Sequence, residues 1–355
     1  VREDALQAVD RVGRSGWLVL GEEVSAFERE FARWWGSPEA VGVASGLDAL
    51  EIALRCAGIL AGDRVLTTPL TAFATTLAII RAGAEPVWCD VDPSGGIDLE
   101  RAEEALHEDP GIRALVPVHL YGHPLDPDGL ERLARDHDVV VIEDCAQSAG
   151  AEREGKPTGL VGVAAAVSLY PTKNLGAMGD GGVILTGDEE LARKARSLRD
   201  YGQTARYEHG ELGLNSRLDE LHAAVLRSAH LPRLDSWLRR RAEIADRYSQ
   251  ALASSSLRPI AASGGKSAHH LYPVEVTAGE PAAVAERLRA AGVAVGRHYP
   301  FLCPDQGAAA GIGRRTDPLE VAQRLAHGEL SLPIHPYLDD EEVEIVVEAC
   351  LAACA

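Results

Sequence analysis

The stretch Ser168 to Gly182, SLYPTKNLGAMGDGG, decides how the rest of this chain is read. It follows an apolar run, Val163 to Val167, and sets Lys173 between two turn-forming clusters. Lysine is scarce: Lys156, Lys173, Lys194 and Lys266 are the only four, and arginine supplies the rest of the 35 basic residues. A chain with that preference keeps lysine where arginine cannot serve. An amine that must lose its proton and form an imine is such a place, because a guanidinium stays charged. Alone, Lys173 is equally well read as a solvated loop lysine, and the rest of the chain decides between the two.

Upstream, apolar runs alternate with helical patterns. Strands are expected over 40–44, 65–69, 86–91, 114–120, 139–144, 164–170 and 181–186. Helices are expected over 71–82, 99–107 and 128–137, with another opened by Ser45. Largely apolar strands separated by helices predict an α/β fold, a mostly parallel sheet covered by helices on both faces. In such sheets ligands collect at the carboxyl ends of the strands. Two amphipathic helices precede the first strand. One covers residues 1–12 and ends near Gly13. The other covers 22–35, with Val24, Phe27, Phe31 and Trp34 or Trp35 on one face.

Downstream, a helix over 218–230 is expected to be broken by Pro232 from a long helix over 233–252. The turn-rich segment 254–266 follows. The remainder reads as α+β: strands over 271–276, 293–300 (VAVGRHYP) and 329–333, with helices over 281–291 and 339–353. The expected domains are therefore residues 1–232, a large domain that includes the N-terminal helices, and 233–355, a linking helix with a smaller C-terminal domain.

The 355 residues are 46% hydrophobic and 25% charged, ordinary for a globular protein, and long enough for one large and one smaller domain. A net charge of −19 argues against nucleic acid and anionic membrane as partners. It leaves anionic small molecules open, because a helix N-terminus binds phosphate even in an acidic protein. Six cysteines form no CxxC pair and read as reduced thiols, which fits a cytoplasmic protein. No apolar run is long enough to span a membrane, and no signal peptide is visible. The chain begins at Val1, so the leading segment is expected to be truncated or absent. No metal site is expected.

Several residues converge with Lys173. Ser45-Gly46-Leu47-Asp48 follows a strand and opens a helix, where forward-pointing N–H groups suit an oxyanion. Ser45 and Asp48 also make a serviceable capping box, and that reading stands beside the first. Asp144 ends a strand at the expected ligand crevice, with Gln147 three residues on. Phe73 lies past another strand end, where it either faces a planar ring or packs in the core. Lysine for an imine, aspartate for a ring nitrogen, and a helix N-terminus with Ser168 for a phosphate together suit pyridoxal 5′-phosphate. No GxGxxG follows the first strand, which disfavours a nicotinamide cofactor.

The chain resembles the DegT/DnrJ/EryC1/StrS family of sugar aminotransferases, of fold type I (aspartate aminotransferase-like). The resemblance covers nearly the whole chain. It is carried by LGEEVSAFEREFARW (20–34), VASGLDALEIAL (43–54), PVHLYGHP (117–124), VIEDCAQSAGA (141–151) and SLYPTKNLGAMGDGG, then by GLNSRLDELHAAVL (213–226), HHLYPV (269–274), RHYP (297–300) and LSLPIHPYL (330–338). It implies that Lys173 holds the cofactor as an imine and shuttles the proton. Asp144 would pair with the pyridinium nitrogen, Gln147 would contact the ring face or its oxygen side, and Phe73 would stack on the ring. Gly46 and Leu47 would give backbone N–H groups to the phosphate, and Ser168 its hydroxyl. Asn215 would reach the phosphate of a neighbouring subunit, making a homodimer with a composite site. His298 and Tyr299 are candidates for substrate contact or for packing.

The implied activity converts a nucleotide-linked keto-deoxysugar to the amino sugar in antibiotic or other secondary-metabolite biosynthesis. L-Glutamate is the expected donor, and pyridoxamine 5′-phosphate the intermediate cofactor form. GLDAL resembles enzymes acting on 3-keto sugars, whereas PTKN is shared with 4-keto sugar enzymes, so the aminated carbon stays open. The alternatives are a cyclitol or aminobenzoate-type aminotransferase of the same family and a non-catalytic binding or regulatory protein of this fold. A sugar dehydratase of the same fold replaces the lysine with histidine, and Lys173 argues against it.

Overall fold

A computed structural model of the chain describes residues 1–354. Strands of the large sheet are β1 (Glu39–Val43), β2 (Arg64–Thr67), β3 (Glu85–Trp88), β4 (Ile112–Val116), β5 (Val140–Asp144), β6 (Ala164–Ser168) and β7 (Gly182–Thr186). Later come β8 (Leu257–Pro259), β9 (Tyr272–Val276), β10 (Arg314–Arg315) and β11 (Glu329–Leu332). The large sheet runs β1-β7-β6-β5-β4-β2-β3-β10. Only β7 runs against its neighbours. The carboxyl ends of the other strands therefore share one edge.

Alternation along the strands buries both faces. Val41, Val43, Val65, Ile142 and Ile184 pack under helices Gly46–Cys56, Phe73–Arg81 and Glu189–Leu198. Ala40, Val167, Val183 and Leu185 point the other way, onto Phe27, Phe31 and Trp35 of helix Glu22–Trp35. The smaller antiparallel sheet, β8-β9-β11, has its own core with Ile244, Tyr248, Leu288 and Val347 from helices Leu234–Leu252, Pro281–Ala290 and Asp340–Ala353. The chain is not divided cleanly between these cores. β10 returns to the edge of the large sheet, and Leu319, Ala322 and Leu325 pack with Leu70, Val118 and Tyr121.

Several boundaries differ from the sequence reading. The first helix covers Arg2–Ser15 and stops at Gly16, whose φ of 69° closes it, so it passes through Gly13. The fourth helix starts at Phe73 rather than Thr71. The strands read as 65–69, 86–91, 114–120 and 164–170 end earlier, at Thr67, Trp88, Val116 and Ser168. Pro232 separates the two helices, as expected, without a loop between them. Helix Glu220–Val225 widens into a π-type turn over Leu226–His230, and Pro232 sits in a 3₁₀ turn before Leu234–Leu252. A proline without N–H fits such a turn, where the regular ladder is already broken.

The expected strand over 293–300 is not formed. Only Gly296 bridges Ser331, and the next N–H, that of His298, donates to the Glu329 carboxylate instead of a ladder carbonyl. Helix Glu320–Gly328 had no counterpart in the sequence reading. Its first N–H groups, from Val321 and Ala322, donate to Asp90 from the distant end of β3. No helix among the described residues is long and apolar enough to cross a membrane.

Candidate active site

Val43, Gly182 and Ser168 lie side by side on β1, β7 and β6. That register brings the turn after β1 against the end of β6. Gly46 opens its helix there so close to Ser168 that an added Cβ would stand 2.8 Å from the serine Cβ. Ser45 caps the helix by accepting from Asp48 N–H at 3.1 Å, and its carbonyl accepts from Ala49 N–H. The N-cap half of the capping reading is thus present. The cap uses the Asp48 and Ala49 donors, while the Gly46 and Leu47 N–H groups have no partner among the described residues. The side chain of Leu47 packs on the core beneath the helix.

One strand over, Asp144 ends β5 and is buried. Its Oδ2 accepts from Thr75 Oγ1 at 2.8 Å and its Oδ1 from Ala146 N–H at 3.0 Å. Burial raises its pKa, opposed by those two donors and by the charge of Lys173. Helix Phe73–Arg81 supplies Thr75, so it also brings Phe73 to this rim. Phe73 is half-buried and leans on Trp88, Cys303 and Ala309.

Lys173 leaves β6 through a tight turn, its N–H donating to Tyr170 carbonyl at 2.8 Å. Asn174, the next residue, donates to the Ala268 carbonyl at 2.8 Å and fixes that turn from inside. Burial lowers Lys173 to about 8, against the opposing pull of Asp144. The ammonium depresses His270 and His298, after their own burial, so both rings share its surroundings. Lys173 makes no ion pair and no side-chain hydrogen bond among the described residues.

Gln147 is held at both ends. Its Oε1 accepts from Tyr121 N–H at 2.6 Å, and its Nε2 donates to Tyr299 OH at 3.2 Å. Tyr121 takes φ 63°, and its OH donates to the His298 carbonyl at 2.8 Å. His298 Nδ1 meets Ser331 Oγ at 2.8 Å. Behind this shell, buried His119 and Glu143 pair at 3.0 Å, and Leu125 N–H donates to His119 Nδ1. Glu143 also accepts from the N–H groups of Gly159, Val161 and Gly162. Cys145 lies beside the pair, but its acceptors are already engaged, so this cluster buttresses the strand that carries Asp144.

The structure thus brings Lys173, Asp144, Gln147, His298 and Tyr299 together, with Gly46 against Ser168 at the same edge. Asn215 is exposed, bridged to Asp200. Its neighbour Ser216 donates to Asp48 at 2.8 Å. Sequence reasoning missed Thr75, Tyr121, Asn174, Glu329 and Ser331. Thr75 alone carried a usable signal, lying in the first turn of the helix that Phe73 opens. The site fits pyridoxal 5′-phosphate. An uncommitted, half-buried amine faces a buried carboxylate that needs a cation, and the Gly46 and Leu47 N–H groups open a helix packed on Ser168.

Comparisons with known proteins agree in direction. A family model described as the DegT/DnrJ/EryC1/StrS aminotransferase family matches residues 1–351. The chain is 39% identical over 353 residues to the pleiotropic regulatory protein of Geobacillus stearothermophilus, covering 98% of this chain and 94% of that one. It is 41% identical over 354 residues to dTDP-3-amino-3,4,6-trideoxy-alpha-D-glucose transaminase of Streptomyces venezuelae, covering 98% and 92%. The solved structure of S. venezuelae DesV in complex with a ketimine intermediate superposes with a TM-score of 0.93 at 40% identity, over 98% of this chain and 93% of that one.

Proposed function

The chain belongs to the DegT/DnrJ/EryC1/StrS aminotransferase family, and from that premise we propose how its residues divide the work of a pyridoxal 5′-phosphate-dependent sugar aminotransferase. It converts a nucleotide-linked keto-deoxysugar to the amino sugar of an antibiotic or related secondary metabolite. The nucleotide proposed is thymidine diphosphate and the carbon C3, following the 41% identical transaminase. L-Glutamate is proposed as donor, and a homodimer as the working unit.

The observation that carries the reading is Lys173, a half-buried amine lowered to about 8, standing opposite buried Asp144 without pairing with it. When bound, pyridoxal 5′-phosphate supplies a conjugated ring that takes up the electron pair released at the reacting carbon and carries the amino group as pyridoxamine 5′-phosphate. Asp144, steadied by Thr75 and Ala146, holds the proton on the ring nitrogen. Gly46, Leu47 and Ser168 hold the phosphate. Phe73 would pack on the ring, and Gln147, its rotamer fixed by Tyr121 and Tyr299, would contact the ring face or its oxygen side. Lys173 Nζ, neutral above about 8, takes the α-proton of the donor and later protonates the sugar carbon. His298 and Tyr299 line the acceptor side. Asn215, exposed in the single chain, extends to the phosphate in a partner subunit.

The name of the regulatory relative favours a second reading, a binding protein without turnover. The lowered Lys173 opposes it, because an amine kept near neutrality serves chemistry rather than charge. The test is visible absorption of the purified protein with pyridoxal phosphate. A band that requires Lys173 and is bleached by L-glutamate is expected. A band that glutamate leaves untouched sinks the donor assignment, and no band at all sinks the aminotransferase reading.

A further inference from the structure

His298 is half-exposed, yet almost every polar atom it owns is fixed. Its N–H donates to Glu329 Oε2 at 2.6 Å, its carbonyl accepts from Tyr121 OH at 2.8 Å, and its Nδ1 meets Ser331 Oγ at 2.8 Å. Ser331 Oγ also donates to Glu329 Oε1. Only Nε2 has no partner among the described residues. Glu329 and Ser331 lie on one face of β11, both buried, and the carboxylate has no ion pair.

The donor count fixes the tautomer. Ser331 has one hydroxyl proton. With Glu329 ionised, that proton goes to the carboxylate. Ser331 Oγ can then only accept from His298, so Nδ1 carries hydrogen and Nε2 is bare. With Glu329 protonated, Oε2 must still accept the His298 N–H, so the new proton sits on Oε1 and donates to Ser331. The hydroxyl turns to donate to Nδ1, and the ring hydrogen moves to Nε2. We propose that Glu329 is a positioning residue of the acceptor-sugar site, setting through Ser331 whether His298 Nε2 accepts a sugar hydroxyl or donates to an acceptor oxygen. The assignment to an acceptor sugar rests on the aminotransferase reading; the tautomer relay does not.

The surroundings place the switch near neutrality. Burial raises Glu329 to about 7, with Ser331, the His298 N–H and Arg297 pulling it back. The phenols of Tyr121 and Tyr299 also face Glu329. Across the ladder stands Glu275 on β9, itself held by Arg258 and Arg324. Burial, and after it the charge of Lys173, lowers His298, and His270 lies beside both. The bare Nε2 thus belongs to the alkaline side and the Nε2–H form to the acid side.

The test reads the ring nitrogens of His298 by NMR in the full chain with ¹⁵N-labelled histidine, assigned with His298→Gln. Wild type should show bare Nε2 at pH 8.5 and Nε2–H at pH 5.5. Glu329→Gln keeps an amide N–H toward Ser331 and should show Nε2–H at both. In turnover it should raise KM for the keto sugar roughly tenfold at pH 8.5, the loss of one hydrogen bond, with the rise confined to the acceptor. Ser331→Ala cuts the same relay and should abolish the pH dependence of the tautomer even if the first variant does not fold. A ring that keeps Nδ1–H in every case, or takes a second proton without changing tautomer, overturns the relay. An equal rise in donor and acceptor KM overturns its assignment to the sugar. Absence of any transamination by the wild type defeats the aminotransferase reading and with it the acceptor role, while the NMR result still decides the relay.

Discussion

Lys173 and Asp144 leave adjacent parallel strands at the same sheet edge, close enough for each to shift the other's proton affinity and yet unpaired. An ion pair would quench both groups. The gap keeps the lysine near neutrality and leaves the carboxylate in want of a cation, the arrangement a planar cationic ring between them would satisfy.

The pH dependence follows from the lysine. Burial holds its ammonium down to about 8 from an ordinary 10.5. Only the neutral amine captures an aldehyde, so cofactor uptake by the apo-protein should climb with pH and level off above about 8. Stability runs with the same sign. The folded pKa lies below the unfolded one, so the contribution present above 10.5 is lost as pH falls, and the loss is complete below about 8. Lys173→Met should therefore melt above wild-type apo-protein at pH 7, and the gap should close toward pH 10.5. Equal melting at pH 7 would show that the amine is not strained by burial.

Thr75 is the donor that keeps Asp144 charged on one oxygen. Thr75→Val preserves shape and leaves the buried carboxylate short of one hydrogen bond, a loss of about 1–2 kcal/mol. Pyridoxal phosphate should dissociate roughly ten times more readily, as read by equilibrium titration of the visible band. The Thr71 hydroxyl meets Thr75 Oγ1 at 3.2 Å and not Asp144, so Thr71→Val is the comparison that should move the titration far less. If both variants titrate alike, Thr75 does not act through Asp144.

The sheet, its order of strands and helices, and Lys173 with Asp144 were legible because their signals are local: apolar runs, strand ends, one rare lysine. The segment 293–300 misled because its apolar start is strand-like, while the bond that removes His298 from the ladder comes from Glu329, far along the chain. Helix Glu320–Gly328 escaped for the same reason, its N-terminal donors being met by Asp90. Thr75, Asn174 and Ser331 are ordinary residue types whose meaning lies in a partner brought by tertiary structure. The side chains proposed to act on the cofactor left a pattern in sequence; those that position them did not.

Gly46 is required for contact rather than for backbone freedom. An added Cβ would meet the Ser168 Cβ at 2.8 Å and its Cα at 3.1 Å, so rotation of the serine cannot relieve it. Gly46→Ala should push the helix N-terminus away from β6 and weaken cofactor binding more than Ser168→Ala, which removes only a hydroxyl. Gly13 offers the contrast: an added Cβ there meets nothing, and Gly13→Ala in the first helix should stabilise by about 0.5–1 kcal/mol. Cofactor titration and thermal melts of the three variants check this, and a Gly46→Ala protein that binds as tightly as Ser168→Ala contradicts it.

Asn215 tests whether two chains build one site. It is exposed in the single chain, while its neighbour Ser216 is buried against Asp48 and the Ala44 N–H. A side chain projecting outward from so fixed a backbone is placed to reach a second subunit. If it completes the partner's phosphate site, Asn215→Ala and Lys173→Ala are each impaired alone but repair each other when mixed. Subunit exchange makes half the dimers mixed, and each of these holds one site with both defects and one with neither. Activity should recover to about a quarter of wild type, the fraction of intact sites that random pairing into two-fold dimers gives. Recovery on co-refolding, absent when the two proteins are mixed without exchange, is the expected outcome. No recovery, with exchange verified by differently tagged chains, means that Asn215 serves its own chain and that the site is not shared.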